Sequence, residues 1–422
     1  MALFENIAEE IRKRIQSGQY KPGQKIPSIR DMAVEFECNK LTVQKAFERL
    51  KQDRYLDNIV GSGSFVRFPE NISRSGAVYD LKTAYVSEHF FPHQVARNIF
   101  NHLFDTEKAG LFSTTPVEGE KDFREVLGRQ FRLSTDRMLI VSGAQQGLDL
   151  TAKVFGARLA DAMLFEDPTY PGAISLFKAT HFVPMEKDGP DLSMLDRALS
   201  PKIKLFYTMP TVHNPTGITY SPEKKREIAD RALTGDFYII EDDYLSEFVR
   251  KPVTRFVDIV PEKTVYIKSL TQTTVSGIRL GFMIVPDSLY DKFLYTKYSS
   301  DIVSPGIMQK FMKRFIQTGA YGEYVAGTQR RINRRKKRLI KVLNAYPALF
   351  GGNWDKQSGY SLWVKSSMKI DLPHLPWDKG ENFSFSRAYK NHLKISFMNL
   401  GSDDFERSLR YLEELFERIC TP

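Results

Sequence analysis

The chain has little of what would mark it as secreted or membrane-bound. Its 422 residues include two cysteines, Cys38 and Cys420. These are too few and too far apart for a disulfide framework or a zinc site, and no metal is expected. No charged-then-apolar leader opens the sequence, and no apolar run is long enough to span a bilayer. Internal repeats and low-complexity tracts are also missing. Acidic residues are the minority, 51 Asp and Glu against 61 Lys and Arg, for a formal charge of +10. That balance favours an anionic partner without identifying one. These absences lead to the expectation of a soluble, cytoplasmic protein with no membrane partner, and the length suggests two or three domains.

What is present divides near residue 68. Phe4, Ile7, Ile11 and Ile15 recur at helical spacing and Gly18 ends that helix. Ser28 is placed to cap a second helix, Ile29 to Phe36, with Met32, Ala33 and Phe36 inward. Asn39 is placed to cap a third, Lys40 to Asp53, buried through Val43, Ala46, Phe47 and Leu50, with Lys40, Thr42, Gln44 and Lys45 outward. Two extended runs, Tyr55 to Ile59 and Ser64 to Phe68, flank Gly61, Ser62 and Gly63, which is turn chemistry for a tight hairpin.

Helix, helix-turn-helix and hairpin make a winged helix, and the stretch resembles the GntR class of bacterial DNA-binding domains. The resemblance rests on Gly18, Gly23, Pro27, Ser28, Arg30 and Ala33, then Thr42, Val43, Ala46, Arg49 and Leu50, then Gly61 to Val66. It implies that the start of the third helix enters the major groove of double-stranded DNA. By the same resemblance Ser28, Arg30, Lys40, Thr42, Gln44 and Gly63 are the expected DNA contacts. Arg54 departs from the pattern, standing where a glycine is usual before the wing.

A polar stretch, 69–79, reads as a linker. From Asp80 to the C-terminus, short β-rich runs alternate with helical stretches. Ala162 to Glu166, Lys204 to Thr208, Phe237 to Glu241, Thr264 to Lys268 and Gly281 to Val285 read as buried strands, with Pro222 to Leu233 an amphipathic helix. This is the pattern of an open α/β sheet, whose ligands sit beyond the strand C-termini. Ser142 to Gly147 precedes a helix read as Leu148 to Ala157, so its amides, those of Ala144 and Gln145 among them, are candidates to hold a phosphate.

Further motifs fall at predicted strand ends. Glu166 to Gly172 contains Tyr170; Asn214, Pro215, Thr216 and Gly217 form an NPTG loop; Glu241, Asp242, Asp243 and Tyr244 close a strand. Ser269 to Gly281 resembles the S-x-[ST]-K-x-x-x-x-G-x-R-x-G signature of fold-type I aminotransferases, which bind pyridoxal phosphate (PLP). The resemblance implies a large α/β domain with a small C-terminal α+β domain. It also implies Tyr170 on the ring face, Asn214 and Tyr244 at the ring hydroxyl, Asp242 at the ring nitrogen, and Ser269, Thr271 and Arg279 around the phosphate. In that family a lysine forms the covalent imine with the cofactor. Here Gln272 stands in its place, and an amide can neither form the imine nor shuttle protons. Lys268 lies four residues earlier, at a strand end from which its side chain should not follow the same vector. Lys394 stands where the family has the arginine that clamps a substrate carboxylate; it keeps the charge and loses the two-donor fork.

The whole chain is similar to the MocR subfamily of regulators, a GntR-type winged helix (1–68) fused to an aminotransferase-like domain (80–422). That similarity implies a homodimer whose grip on promoter DNA changes with a small-molecule effector in the cofactor pocket. The expectation is a transcription factor with a catalytically inactive sensor domain that binds PLP or a PLP-related ligand non-covalently at most. Two rivals are a working PLP enzyme with a substitute lysine, and a DNA-binding protein whose large domain is only a dimerisation scaffold. Arg330 to Arg338 are densely basic and read as a solvated helix face kept in register by Ile332, Leu339, Ile340 and Leu343.

Overall fold

The structure is a computed structural model that describes residues 3–16, 19–20, 24–53, 55–59, 63–66, 79–156, 163–177, 181–249, 252–370, 372 and 375–420. Gly18, Gly23, Arg54, Gly61, Ser62 and residues 69–78 of the expected linker lie outside the described residues. The chain divides into two compact units, Met1–Ala77 and Val78–Pro422.

In the N-terminal unit, α1 (Leu3–Gln16), α2 (Ile29–Glu35) and α3 (Lys40–Gln52) precede an antiparallel hairpin of β1 (Leu56–Ile59) and β2 (Gly63–Val66). Ile7 and Ile11 of α1, Met32 of α2 and Val43, Ala46, Phe47 and Leu50 of α3 share one core with Leu56 and Val66. The helix ends fall one residue earlier than the apolar spacing suggested. Phe36 and Asp53 are C-caps, each donating its amide to carbonyls of the preceding turn. Ser28 caps α2 in a reciprocal box with Asp31, and the Asn39 side chain accepts from the Thr42 amide at 2.8 Å. Arg12 donates to Asp53 at 2.7 Å, fastening α1 to the end of α3.

The large unit holds a mixed seven-stranded sheet built from β3 (Met138–Val141), β4 (Met163–Asp167), β5 (His181–Pro184), β6 (Leu205–Thr208), β7 (Tyr238–Asp243), β8 (Thr264–Ser269) and β9 (Gly281–Ile284). Their order is β3-β9-β8-β7-β6-β4-β5, with β9 antiparallel to both neighbours and the remaining pairs parallel. Both faces of the sheet are covered, so its central strands are buried along nearly their whole length, mainly apolar and turning polar at the C-terminal ends of β7 and β8. Tyr266, Phe282 and Ile284 pack on one face, and Val265, Ile267 and Met283 on the other.

Two strands and a helix start differ from the sequence reading. β3 is a four-residue apolar run, too short for periodicity to separate a buried strand from a helix segment, and β5 ends in Pro184 with His181 exposed, so the sequence reading names neither as a strand. The helix expected from Leu148 spans Ala144–Phe155, because its polar first turn hides the start and Gly143, at φ +89°, turns the chain into it.

A three-stranded antiparallel sheet follows, β10 (Ser361–Lys365), β11 (Asp378–Lys379) and β12 (His392–Ser396) in the order β10-β12-β11. The long helix Ala320–Asn344 buries Ile332, Leu339 and Leu343. Its basic run is only partly a solvated face. Arg335 is buried and donates to the carbonyls of Phe397, Leu400 and Gly401 at 2.9, 2.8 and 3.0 Å. Lys336 donates to those of Asp355 and Gln357, both at 2.6 Å.

Removing the α3 cap by Asn39→Ala should cost that helix about 1 kcal/mol. Hydrogen exchange should then quicken several-fold in α3 and stay unchanged in the large unit.

Candidate functional site

Beyond the C-terminal ends of β4, β6, β7 and β8 lies a cavity of about 440 Å³. Ala144, Gln145, Tyr170, Asn214, Asp242, Tyr244, Ser269, Thr271, Gln272, Arg279 and Lys394 all line it. The eleven residues singled out in the large unit from sequence therefore come together in one place.

One end is an anion cup. The helix Ala144–Phe155 has no side-chain cap at its N-terminus, so its first amides are left for an outside acceptor. Arg279, at φ +46°, lies across this end and donates to the Ser142 carbonyl at 3.2 Å. A Cβ on Gly143 would stand 3.2 Å from the Arg279 guanidinium and 3.6 Å from Thr271 Oγ1, so a larger residue there would crowd the cup. Below it, Gln146 accepts from the Ser142 amide at 2.7 Å and donates to Asp301 at 2.7 Å, holding the loop still.

The floor is carboxylate and amide. Asp242 is buried at the end of β7; Tyr207 donates to its Oδ2 at 2.8 Å, while Oδ1 has no partner among the described residues. Burial pushes its pKa up to about 7 against the pull of the Tyr207 hydroxyl. Asn214 Oδ1 is likewise buried without a partner. Its loop is pinned from beneath by His213, whose Nε2 is 3.1 Å from Glu166 and whose Nδ1 is 2.8 Å from Thr216 Oγ1. Tyr170 folds over Gly172, where a Cβ would come within 2.4 Å of its ring, and its hydroxyl donates to Gln145 Oε1 at 3.5 Å. Burial raises the Tyr170 and Tyr244 phenols, Asp242 adding to both.

At the far end Lys394 is buried on β12 directly across from Asp378 of β11, with its amine 5.2 Å from the Phe383 ring centroid. Burial brings its pKa down to about 8. Sequence reasoning missed Lys82, Ala84, Tyr85, Asp378 and Phe383, which line the cavity from segments distant in the chain and without motif. Tyr207 and Tyr360 act from behind the wall. Tyr360 approaches Gln272 Oε1 at 2.6 Å, and the backbone N–H of Gln272 donates to Ser269 Oγ at 3.3 Å.

Lys268 does not reach the cavity. Strand alternation puts it with Asp243 on the face opposite Asp242 and Ser269. Its amine bonds Asp243 at 3.1 Å and Glu247 at 2.5 Å. Burial alone would lower its pKa, but these carboxylates hold it raised.

In the N-terminal unit, Arg30, Lys40, Gln44 and Lys45 are exposed along α2 and α3. Arg30 and Lys40 have no side-chain hydrogen bond or ion pair among the described residues, so both are free to meet phosphate. Ser28 and Thr42 are differently placed: Ser28 donates its hydroxyl to Asp31 at 2.7 Å and Thr42 to Asn39 at 2.8 Å. Gln44 donates to Glu48 at 3.3 Å. Gly63, at φ +114°, leaves room for Lys25, a wing-side cation the sequence reading passed over. Among the described residues no metal-ligand cluster occurs and no helix is long and apolar enough to cross a membrane.

A winged-helix unit joined to an α/β unit with this cavity defines a DNA-binding transcriptional regulator built on an aminotransferase fold. The chain belongs to the aminotransferase class I and II family, which residues 87–400 match, and its residues 3–66 match the gntR family of bacterial regulatory proteins. It is 26% identical to the uncharacterized HTH-type transcriptional regulator YcxD of Bacillus subtilis, over 98% of this chain and 99% of that one. The HTH-type transcriptional regulator TauR of Rhodobacter capsulatus is 24% identical, over 89% of this chain and 86% of its own. Among solved structures, a Pyrococcus horikoshii kynurenine aminotransferase in complex with PMP superposes with a TM-score of 0.72. It is 22% identical and covers 81% of this chain and 91% of its own. The fold is thus that of the aminotransferases, and the gntR-family domain implies DNA binding.

The cavity floor has a consequence for stability. Because the folded-state pKa of Asp242 lies above its ordinary value, the folded chain binds more protons than the unfolded one between pH about 4 and 7. Its contribution to stability therefore falls as pH rises through that window. Asp242→Asn should raise the Tm of the ligand-free protein over the parent, and by more at pH 8 than at pH 5. Equal gains at both would mean that the carboxylate is not held protonated by burial.

Proposed function

We propose that this chain is a MocR-type regulator that binds duplex DNA through its winged helix. In this reading it senses PLP or a PLP-related amino compound non-covalently in the large unit, without catalysing a reaction, and works as a homodimer. The observation that carries this reading is a cup and a ring carboxylate retained around an amide. Among the described residues, buried atoms on Asp242 and Asn214 lack partners that a pyridine nitrogen and ring hydroxyl would supply.

The residues fit that group. Ser269, Thr271, Arg279 and the amides of Ala144 and Gln145 hold the phosphate; Asp242 pairs with the ring nitrogen; Asn214 and Tyr244 hold the ring hydroxyl; Tyr170 covers the ring. Lys394 receives a carboxylate on an attached amino compound, as a point charge rather than a fork. PLP, where a lysine can join it, supplies an electron-withdrawing ring that eases proton removal from an amino acid. Gln272 takes the place of that lysine and has neither the nucleophile nor the titrating proton. Lys268 is committed to Asp243 and Glu247, which argues against it as a substitute.

Borohydride treatment with PLP and peptide mapping tests the silent chemistry. The parent should retain no fixed cofactor, whereas Gln272→Lys should become labelled at residue 272. Labelling of the parent at Lys82 or Lys394 would overturn the inactive reading in favour of an enzyme with a substitute lysine.

The DNA arm is tested by titration against salt. Arg30→Ala and Lys40→Ala should each weaken binding and reduce the slope of log K against log[salt] by about 0.9, one phosphate contact. An unchanged slope in both would remove α2 and α3 from the interface.

A further inference from the structure

Tyr360 has one hydroxyl hydrogen and faces two acceptors, Gln272 Oε1 at 2.6 Å and the Ala84 carbonyl at 2.9 Å. One hydrogen serves one acceptor at a time. The side chain is 1% exposed, so bulk water does not supply the missing donor. The nitrogen and oxygen of a glutamine amide have the same shape, and hydrogen bonding decides which is which. A half-turn of the amide lets Gln272 Nε2 donate to the Tyr360 oxygen while Tyr360 donates to Ala84. The Ala84 carbonyl and the Tyr360 oxygen then each have a donor, and Gln272 Oε1 is the amide oxygen left for the cavity.

The chemistry of the ring locates what would meet that oxygen. With its phosphate arm in the cup, its nitrogen at Asp242 and its hydroxyl at Asn214, the ring carbon between arm and hydroxyl points away from Asp242. Gln272 follows the cup residue Thr271 and lines the same cavity. The substituent on that carbon is an aldehyde in PLP and a cationic amine in pyridoxamine phosphate (PMP).

Resting on the non-covalent sensor reading above, we propose that Gln272 makes the site selective for the amine form. Its Oε1, fixed by the Tyr360 to Ala84 chain, accepts a hydrogen bond from an N–H on the ring's exocyclic carbon. An aldehyde oxygen there would oppose a second acceptor, and an alcohol would donate without charge. The ligand class is therefore PMP and saturated phosphopyridoxyl amines. Hydrogen bonds to charged groups are strong enough for a preference of about tenfold or more.

Calorimetric titration of the full-length protein with PMP, pyridoxine phosphate and PLP tests this. The expected order of affinity is PMP, then the alcohol, then the aldehyde, with PMP ahead of PLP by about tenfold or more. Gln272→Met should erase that preference while leaving phosphate-dependent binding, and Gln272→Glu should widen it. Tyr360→Phe frees the amide to turn and should narrow it, with Gln272 itself untouched. Equal affinities for PMP and PLP in the parent, or a preference that survives Gln272→Met, would overturn the proposal and leave the sensor reading standing. Failure of all three vitamers to bind a folded protein would overturn both.

Discussion

The strand end Glu241-Asp242-Asp243 buries three carboxylates in a row, and the large unit is arranged around that constraint. Alternation sends Glu241 and Asp243 to one face, where Lys225 and Lys268 supply opposite charge. Asp242 goes to the other face with Tyr207 as its partner and one oxygen unsatisfied among the described residues. An orphaned buried acceptor costs about 1–3 kcal/mol, a large share of a domain's net stability. A cationic ring nitrogen would remove that cost on binding, so the penalty in the ligand-free chain becomes affinity in the liganded one. The same asymmetry explains why Lys268 is unavailable to the cavity: it neutralises the opposite face.

Much of this was legible in sequence because the site is made from strand ends, where short motifs mark the loops. Asn214, Asp242, Ser269, Thr271, Gln272 and Arg279 all announce themselves by neighbours at fixed spacing. What escaped is what the fold brings from elsewhere. Tyr360, Asp378 and Phe383 sit in segments with no motif, and Tyr207 reads as one more aromatic in a buried strand until Asp242 is seen beside it. The helix at Ala144 was misplaced by four residues for a related reason. Its first turn is polar because it faces a cavity, and a search for apolar periodicity starts where the core starts, at Leu148. Lys336 erred in the other direction, since a basic run looks solvated although its amine here serves two backbone carbonyls.

The N-terminal unit shows a similar division between residues that build and residues that remain free. Ser28, Thr42 and Asn39 have side chains that DNA contacts and helix caps both favour, and in this structure the caps have them. A hydroxyl already donating to Asp31 or Asn39 must exchange that bond for one to phosphate, which leaves little net gain. Arg30 and Lys40 face no such exchange. Long cationic side chains at the starts of two successive helices suit phosphate, and the caps beneath them fix the helix ends from which they reach.

An amide where chemistry would need an amine changes what binding energy in the large unit can accomplish. In an enzyme, interactions that are equal in ground and transition states leave the chemical step unaided. A regulator has no transition state to favour; a ligand shifts it only by the difference in affinity between its two conformations. Here the cup, Asp242 and Asn214 would give strength, and Gln272 would give discrimination between vitamers that differ at one carbon. Without a covalent bond, occupancy would follow free ligand concentration through ordinary association and release. A lysine at that position would instead hold the aldehyde form and convert amino compounds, so the site would change the pool it reads. A tethered amide in its place would separate reading from reacting, leaving a pocket whose occupancy would depend on the chemical state of the ligand.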